Sequence, residues 1–197
     1  MTEILLIRHA HHAELGARLS GRSGGGGLTG AGRDAARRLA ARLAYEPVSE
    51  LRSSPVARAR DTAQCLAATL HLPVSEDAAF DEVDFGDWTG QPYAVLAGDA
   101  AWQHWNASRA EARVLGGETM GEALDRAMES LGTIRRRMPG AIVAIVTHCD
   151  IIRGVLTELL GRSLDRIHDL DVPPASVSRI AMTASGCRVL SVGEDRA

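Results

Sequence analysis

The amino-acid sequence predicts an α/β protein, a three-layer α/β/α sandwich whose mostly parallel sheet is covered by helices on both faces. Two observations carry this prediction. The segments 3–8 and 141–148 are short, continuously apolar runs of the kind that form buried parallel strands. Stretches with helical periodicity separate the candidate strands, which is typical of βαβ units. With 197 residues, of which 45% are hydrophobic, the chain is expected to form a single domain, 1–197.

The predicted elements alternate along the chain. Strands are expected at 3–8, 49–54, 141–148, 176–184 and 187–193. Helices are expected at 28–43, 55–70, 118–138 and 150–161. We expect the last two strands to lie at one edge of the sheet.

The ends of the elements carry their own signals. Thr29 is expected to cap the first helix, and Ser53 or Ser54 the second, with Pro55 in its first turn. The four consecutive glycines at 24–27 predict a flexible loop. The stretch 80–112 contains aromatic residues without a clear period, so an irregular segment with short helices is expected there.

Composition and charge exclude several classes of function. A net charge of −3, with scattered arginines, argues against a nucleic-acid-binding surface. The three cysteines are far apart and form no CxxC pair, so neither a disulfide framework nor a zinc knuckle is expected. Because no apolar run approaches the roughly 18 residues of a membrane span, a cytoplasmic protein without membrane contact is predicted.

Two predicted strands end in a histidine. Arg8 and His9 follow the first strand, and His148 follows the strand at 141–148. Ligands of α/β sheets bind at the carboxyl ends of the strands. Arg58 lies near the start of a helix, where the backbone itself attracts anions. These side chains are expected to surround a small dianion such as a phosphate.

Five motifs in order resemble those of the histidine phosphatase superfamily, the group that includes cofactor-dependent phosphoglycerate mutases and fructose-2,6-bisphosphatase. The resemblance extends from residue 5 to about 156 and implies a phosphoglycerate mutase-like fold. The motifs are LLIRHA (5–10), LTGAGRDAA (28–36), SSPVARARDTA (53–63), DEVDFGDWTG (81–90), and GGET (116–119) with VTHCDIIRGVL (146–156).

The resemblance implies a role for each of five residues. His9 attacks phosphorus and becomes phosphohistidine. Arg8, Arg58 and His148 hold the phosphate oxygens. Glu82 protonates the leaving oxygen and then activates water. The arginines supply the positive charge, so neither a metal nor another cofactor is expected.

The chain departs from the family pattern next to His9 and His148. Leu15 stands where the family often has an asparagine, and Ser20 or Arg22 is expected to replace that contact with the phosphate. Asp150 is a second candidate acid, but Cys149 separates it from His148, which favours Glu82. The Cys149 backbone N–H is expected to face the phosphate. The alternative, a thiol nucleophile at Cys149, is less favoured.

Other residues leave alternatives open. His9, His11 and His12 resemble part of a dinuclear metal motif, but Ala13 occupies the position of its aspartate. We therefore expect His11 and His12 at the rim of the pocket or in solvent. Trp88, Trp102 and Trp105 could form a lid or pack in the core.

The predicted function is a metal-independent phosphomonoesterase acting on a small phosphorylated metabolite. The alternatives are a phosphoglycerate mutase-type phosphotransferase, a protein phosphohistidine phosphatase, or a phosphate-ligand-binding sensor that has lost turnover. A mutase is less favoured because the stretch between Gly90 and Gly116 is short. A homodimer through the C-terminal edge strand remains open.

Overall fold

The structure, a computed structural model, describes residues 1–24 and 26–194. Its strands are β1 (Thr2–Arg8), β2 (Val48–Ser53), β3 (Val74–Glu76), β4 (Ile142–Thr147), β5 (Val177–Thr183) and β6 (Gly186–Glu194). Its α-helices are α1 (Gly30–Leu43), α2 (Ala57–Leu70), α3 (Tyr93–Leu96), α4 (Ala100–Ala107), α5 (Met120–Arg137) and α6 (Cys149–Leu159). Short 3₁₀ segments lie at Ala78–Phe80, Gly86–Trp88 and Leu164–Asp169.

The six strands form one sheet in the order β3-β2-β4-β1-β5-β6. The pairs from β3 to β1 are parallel, whereas β5 and β6 run antiparallel at one edge. The expected mostly parallel sheet with a C-terminal edge pair is therefore confirmed. Because β1 and β4 lie side by side in the same direction, their carboxyl ends, and the residues that follow them, lie together.

Alternate side chains of the central strands enter two separate apolar clusters. Ile4 and Leu6 of β1 face the cluster that holds α5 and α6, whereas Leu5 and Ile7 face the one that holds α1 and α2. All four side chains are fully buried, and each such burial contributes about 1.5–3 kcal/mol. The predicted α/β/α sandwich follows from this period of two.

The cap of one helix is as predicted and that of another is not. Thr29 caps α1, its hydroxyl accepting from the N–H of Gly32 at 3.0 Å. The prediction of Ser53 or Ser54 as the cap of α2 is wrong, because Val56 occupies that position with an extended backbone. The Ser54 hydroxyl instead accepts from the Val56 N–H at 3.1 Å, in the turn before the helix.

Three further details concern short or irregular segments. The three-residue edge strand β3 was not predicted, since so short a run has no readable period. The stretch 80–112 does consist of short helical pieces joined by loops. The loop predicted over the glycines 24–27 includes Gly25, which lies outside the described residues. None of the helices in the described part of the chain is long and apolar enough to cross a membrane.

Gly86 is the residue of the 80–90 loop that least tolerates a side chain. Its φ is +44°, and an added Cβ would lie 2.2 Å from the carbonyl oxygen of Leu115. We expect Gly86→Ala to lower the free energy of unfolding by about 3 kcal/mol or more, as judged from urea unfolding midpoints. Gly90 is the control, because its φ is +84° but no atom lies within 4 Å of an added Cβ. Gly90→Ala should cost only about 1–2 kcal/mol, and equal losses for the two variants would contradict the steric argument.

Candidate active site

A cleft of about 230 Å³ opens at the carboxyl ends of β1 and β4. Arg8 is the last residue of β1 and His9 follows it, while His148 follows β4. Arg58 lies in the first turn of α2, which begins after β2. His9 and His148 are 5.3 Å apart between ring centroids. The fold thus brings together the residues that the strand ends indicated.

The hydrogen bonds of His9 define where its proton lies. Its Nδ1 is 2.9 Å from the carbonyl oxygen of Ala10, which can only accept, so Nδ1 carries the hydrogen. Its Nε2 accepts from Nε of Arg58 at 3.1 Å and therefore presents a lone pair. Burial, together with the charge of Arg58, lowers the pKa of His9 well below its ordinary value. His9, which lines the cleft, is consequently neutral, with the lone pair on Nε2.

Arg58 connects the two histidines. Its Nη2 is 2.9 Å from Nδ1 of His148 and donates to the carbonyl oxygen of Gly21 at 2.6 Å. Arg8 donates from Nη1 to the carbonyl oxygen of Val172 at 2.6 Å, and its buried Nε has no partner within the described residues. Neither arginine forms a salt bridge with a described carboxylate. Both guanidinium groups are therefore available to an anion that enters the cleft.

Glu82 is a buried carboxyl group that also lines the cleft. Burial, and secondarily the negative charge of Asp150, raises its pKa to about 7, although Arg58 opposes the shift. Its position is fixed through its backbone carbonyl, which accepts from Nε of Arg22 at 2.8 Å and from Nη2 of Arg126 at 3.1 Å. Glu82 is therefore an acid that can exchange its proton near neutral pH.

Asp150, the other candidate acid, has the opposite environment. Burial alone would raise its pKa, but the ion pair with Arg109 outweighs burial and lowers it. Nη1 of Arg109 lies 2.7 Å from the Asp150 carboxylate, and the guanidinium stacks 4.9 Å from the ring centroid of Trp105. Asp150 is thus held as an anion, so of the two carboxyl groups Glu82 is the one with a proton to donate.

The family model of the histidine phosphatase superfamily (branch 1) matches residues 4–195. The chain belongs to the histidine phosphatase superfamily. This confirms the predicted family, and relatives named as phosphatases confirm the prediction of an enzyme of the phosphatase type.

The relatives differ in sequence identity to this chain and in how much of its length they match. Phosphoserine phosphatase 1 of Hydrogenobacter thermophilus is 27% identical over 92% of this chain and 87% of that protein. The uncharacterized phosphatase PhoE of Bacillus subtilis is 32% identical over 55% of this chain, so the match spans about half, 52%, of that relative's length. The solved structure of Bacillus stearothermophilus YhfR has a TM-score of 0.93 at 25% identity, covering 100% of this chain and 98% of that one.

The loop after His9 holds the two residues that were expected to replace the family asparagine. Ser20 is buried, lines the cleft and donates from its hydroxyl to a carboxylate oxygen of Glu14 at 2.9 Å. Arg22 is not among the residues that line the cleft. Its guanidinium donates to the Glu82 carbonyl and to the Glu118 carboxylate, so Arg22 holds the segment that carries Glu82. Leu15 lines the cleft with an apolar side chain.

Cys149 lines the cleft as the first residue of α6. Burial raises the pKa of its thiol to about 11, so the group is protonated and unsuited to nucleophilic attack near neutral pH. His12 is buried against His9, with ring centroids 5.2 Å apart, whereas His11 is exposed. Among the described residues, no group of three or more histidine, cysteine or acidic side chains is arranged to hold a metal ion.

The outer wall of the cleft is the part that the sequence did not indicate. Trp105 is fully buried and packs in the core, as one alternative for the tryptophans proposed. Trp102 is half-buried and lines the cleft, as the other alternative, a lid, would require. The residues missed were Arg18, Tyr93, Asn106, Arg109, Arg153 and His168. They come from loops and helices far apart in the chain, and no motif connects them.

Proposed function

We propose that the protein is a metal-independent phosphomonoesterase that acts through a phosphohistidine at His9. One observation carries the proposal. The neutral His9 lines a cleft where the buried Arg58 and the half-buried Arg8 have no salt-bridge partner within the described residues, and where the carboxyl group of Glu82 has a pKa of about 7. An anion, a nucleophile and a proton donor can therefore meet in one place.

The reaction proceeds in two steps. First, Nε2 of His9 attacks phosphorus, the bond to the ester oxygen breaks, and Glu82 transfers its proton to that oxygen. Second, water attacks the phosphohistidine, Glu82 takes a proton from this water, and the P–N bond breaks to release inorganic phosphate. The hydrogen bond from Nδ1 to Ala10 orients the ring for both steps.

Arg8, Arg58 and His148 hold the non-bridging oxygens and offset the charge of the transferring group. The Cys149 backbone N–H, at the beginning of α6, adds the positive end of a helix to the same group. Burial raises the pKa of Glu82 to about 7, which supports its role as the acid of the first step and the base of the second.

The alternatives differ in what accepts the phosphoryl group or in whether turnover occurs. A mutase would return it to a second substrate hydroxyl, and a protein phosphohistidine phosphatase would take it from another protein. A sensor would bind phosphate without turnover. The relatives named as phosphatases favour hydrolysis, and the small volume of the cleft favours a metabolite.

A trapped phosphoenzyme tests this proposal. Wild-type protein mixed with ³²P-labelled substrate and quenched in alkali should retain label, because phosphohistidine survives base and hydrolyses in acid. Turnover and labelling should be unchanged by a chelator, and the label should map to His9. Turnover that disappears in chelator, or that proceeds with no labelled protein, would sink the proposal.

The outer cleft indicates what the leaving group carries. Phe85, Tyr93 and Trp102 form an aromatic wall, and Arg18 and Arg153 face the same space with no described carboxylate within salt-bridge distance. The charge of Arg153 also acts on Asp150, but neither guanidinium group is paired directly with a described carboxylate, so both can bind a second anionic group. The proposed substrate is therefore a phosphomonoester whose alcohol carries a second anionic group.

O-Phosphoserine and phosphoethanolamine, which differ by one carboxylate, compare the two kinds of leaving group. We expect kcat/KM to favour the former by roughly tenfold or more, the worth of one charge-assisted hydrogen bond. Arg153, in α6, lines the cleft, and Arg153→Gln should reduce this preference. Arg162 is exposed and follows α6, so Arg162→Gln should leave the preference unchanged. Equal rates on the two esters would contradict an anionic leaving group.

A further inference from the structure

Behind His148 lies a buried chain of hydrogen bonds that the two-step reaction does not use. Nε2 of His148 is 2.9 Å from the Ser54 hydroxyl, and that hydroxyl donates to Oδ1 of Asp81 at 2.5 Å. The Ser54 oxygen also accepts from the Val56 N–H at 3.1 Å. Ser54 and His148 are fully buried. These hydrogen bonds connect His148, which lies next to Arg58, through the Ser54 hydroxyl to the carboxyl group of Asp81.

The direction of every proton in this chain is determined by counting donors. A hydroxyl has one hydrogen, and that of Ser54 is directed at Asp81. The other two partners of the oxygen must then donate, so His148 carries its hydrogen on Nε2. Its Nδ1 is left with a lone pair, which accepts from Nη2 of Arg58 at 2.9 Å. In the free protein both histidines thus present lone pairs to the same guanidinium.

This arrangement would not suit a bound phosphate. A phosphate oxygen held by Arg58 would also lie near Nδ1 of His148, and a lone pair facing an anion is repulsive unless the nitrogen gains a proton. The groups that face His148 are Arg58 from α2, Arg126 from α5, and His9 and His12 from the segment after β1. Burial and these groups lower the pKa of His148 in the free protein. A bound dianion reverses the sign of the field there.

We propose that Ser54 and Asp81 are positioning residues that let His148 take up one proton at Nδ1 when a phosphate dianion binds. The proton comes from solvent, a new N–H bond forms at Nδ1, and the hydrogen on Nε2 stays bonded to Ser54. The Asp81 carboxylate balances the new imidazolium charge through that hydroxyl. The inference rests on the proposed function, because it requires phosphate to bind between Arg58 and His148.

Calorimetry with inorganic phosphate counts this proton. At pH 8 the ligand is almost wholly the dianion, and binding enthalpies in buffers of different ionisation enthalpy give the number of protons taken up. Glu82 can also gain a proton, so the reference is Glu82→Gln, in which uptake should remain close to one. Adding Asp81→Asn or Ser54→Ala should reduce uptake towards zero and weaken phosphate binding roughly tenfold.

Two controls separate a relay from a merely structural role. Ser54→Thr keeps the hydroxyl and should restore uptake. Asp87→Asn removes the same charge from an exposed side chain of the same loop and should leave uptake unchanged. A further readout needs no change in the chain: the ¹⁵N shift of His148 Nδ1 should move from the unprotonated to the protonated range when phosphate is added to the wild type.

The outcomes distinguish this inference from the function on which it rests. Phosphate that binds without proton uptake in the Glu82→Gln reference, or uptake that persists in Asp81→Asn with full affinity, overturns the relay alone. Protein that binds no phosphate and forms no phosphoenzyme overturns both. Uptake that disappears in Asp81→Asn and Ser54→Ala and returns in Ser54→Thr supports the relay.

Discussion

Replacing His9 with alanine is expected to lower kcat/KM by at least about 10⁴-fold, because the variant has no atom that can form the covalent intermediate. The loss should appear with alkyl and aryl phosphates alike, since both react by attack of the same nitrogen. Steady-state turnover of an aryl phosphate, together with alkali-stable labelling, measures it. Both signals should be absent from the variant.

The matched control for this change is His11→Ala. His11 is exposed and two residues away, so its removal deletes an imidazole from the same loop without entering the cleft. Its activity should stay within about twofold of the wild type, as for an ordinary surface substitution. A His9→Ala variant that retained turnover comparable to the control would falsify the nucleophilic role.

Glu82→Gln is expected to show a loss that depends on the leaving group. On an alkyl phosphate, whose alcohol needs a proton to depart, the first step should slow by about 10²–10⁴-fold. On an aryl phosphate with a good leaving group, the same step should change little. Glutamine has nearly the same shape but no proton to transfer, so the contrast isolates acid catalysis from packing. Single-turnover rates of phosphoenzyme formation measure it.

The pH dependence of the same step has a defined direction. Glu82 must hold its proton in the first step, and its pKa is about 7, so the alkyl phosphate rate should fall about tenfold per pH unit above that value. The pKa of His9 is lowered, so the rate should stay level until well below the ordinary histidine range. In Glu82→Gln the alkaline decline should be absent.

Asp150→Asn distinguishes the two carboxyl groups. Removal of this anion removes one of the causes that raise the pKa of Glu82, so the alkaline decline should move to lower pH. If Asp150→Asn instead showed the loss confined to alkyl phosphates, Asp150 would be the acid.

The residues at strand ends could be predicted from the sequence because the backbone itself places them. Arg8, His9 and His148 follow apolar runs, and parallel neighbours bring such ends together whatever the loops do. Glu82 lies in an irregular loop, where no period indicates a direction, and only the resemblance to a family pointed to it. The predicted alternation of strands and helices is confirmed for a similar reason, since it depends on local apolar patterns and not on the loops.

What the sequence could not show is pairing between distant polar groups. Arg22 was expected at the phosphate, but its Nε donates to the carbonyl of Glu82, 60 positions away, and it is not among the residues that line the cleft. The ion pair of Arg109 with Asp150 joins residues 41 positions apart, and no sequence motif contains both of them. Ser54 was expected to cap a helix and instead contacts His148, 94 positions away.

The burial of Glu82 makes the fold itself sensitive to pH. The unfolded chain releases this proton near 4.5, while the folded protein holds it to about 7. Stability is therefore lost as pH rises through this window, by about 3 kcal/mol in total. This loss is a large fraction of the free energy of unfolding of a domain, which is about 5–15 kcal/mol. The contribution of Glu82 to stability is therefore larger below its folded pKa than above it, and Glu82→Gln should withstand alkali better than the wild type.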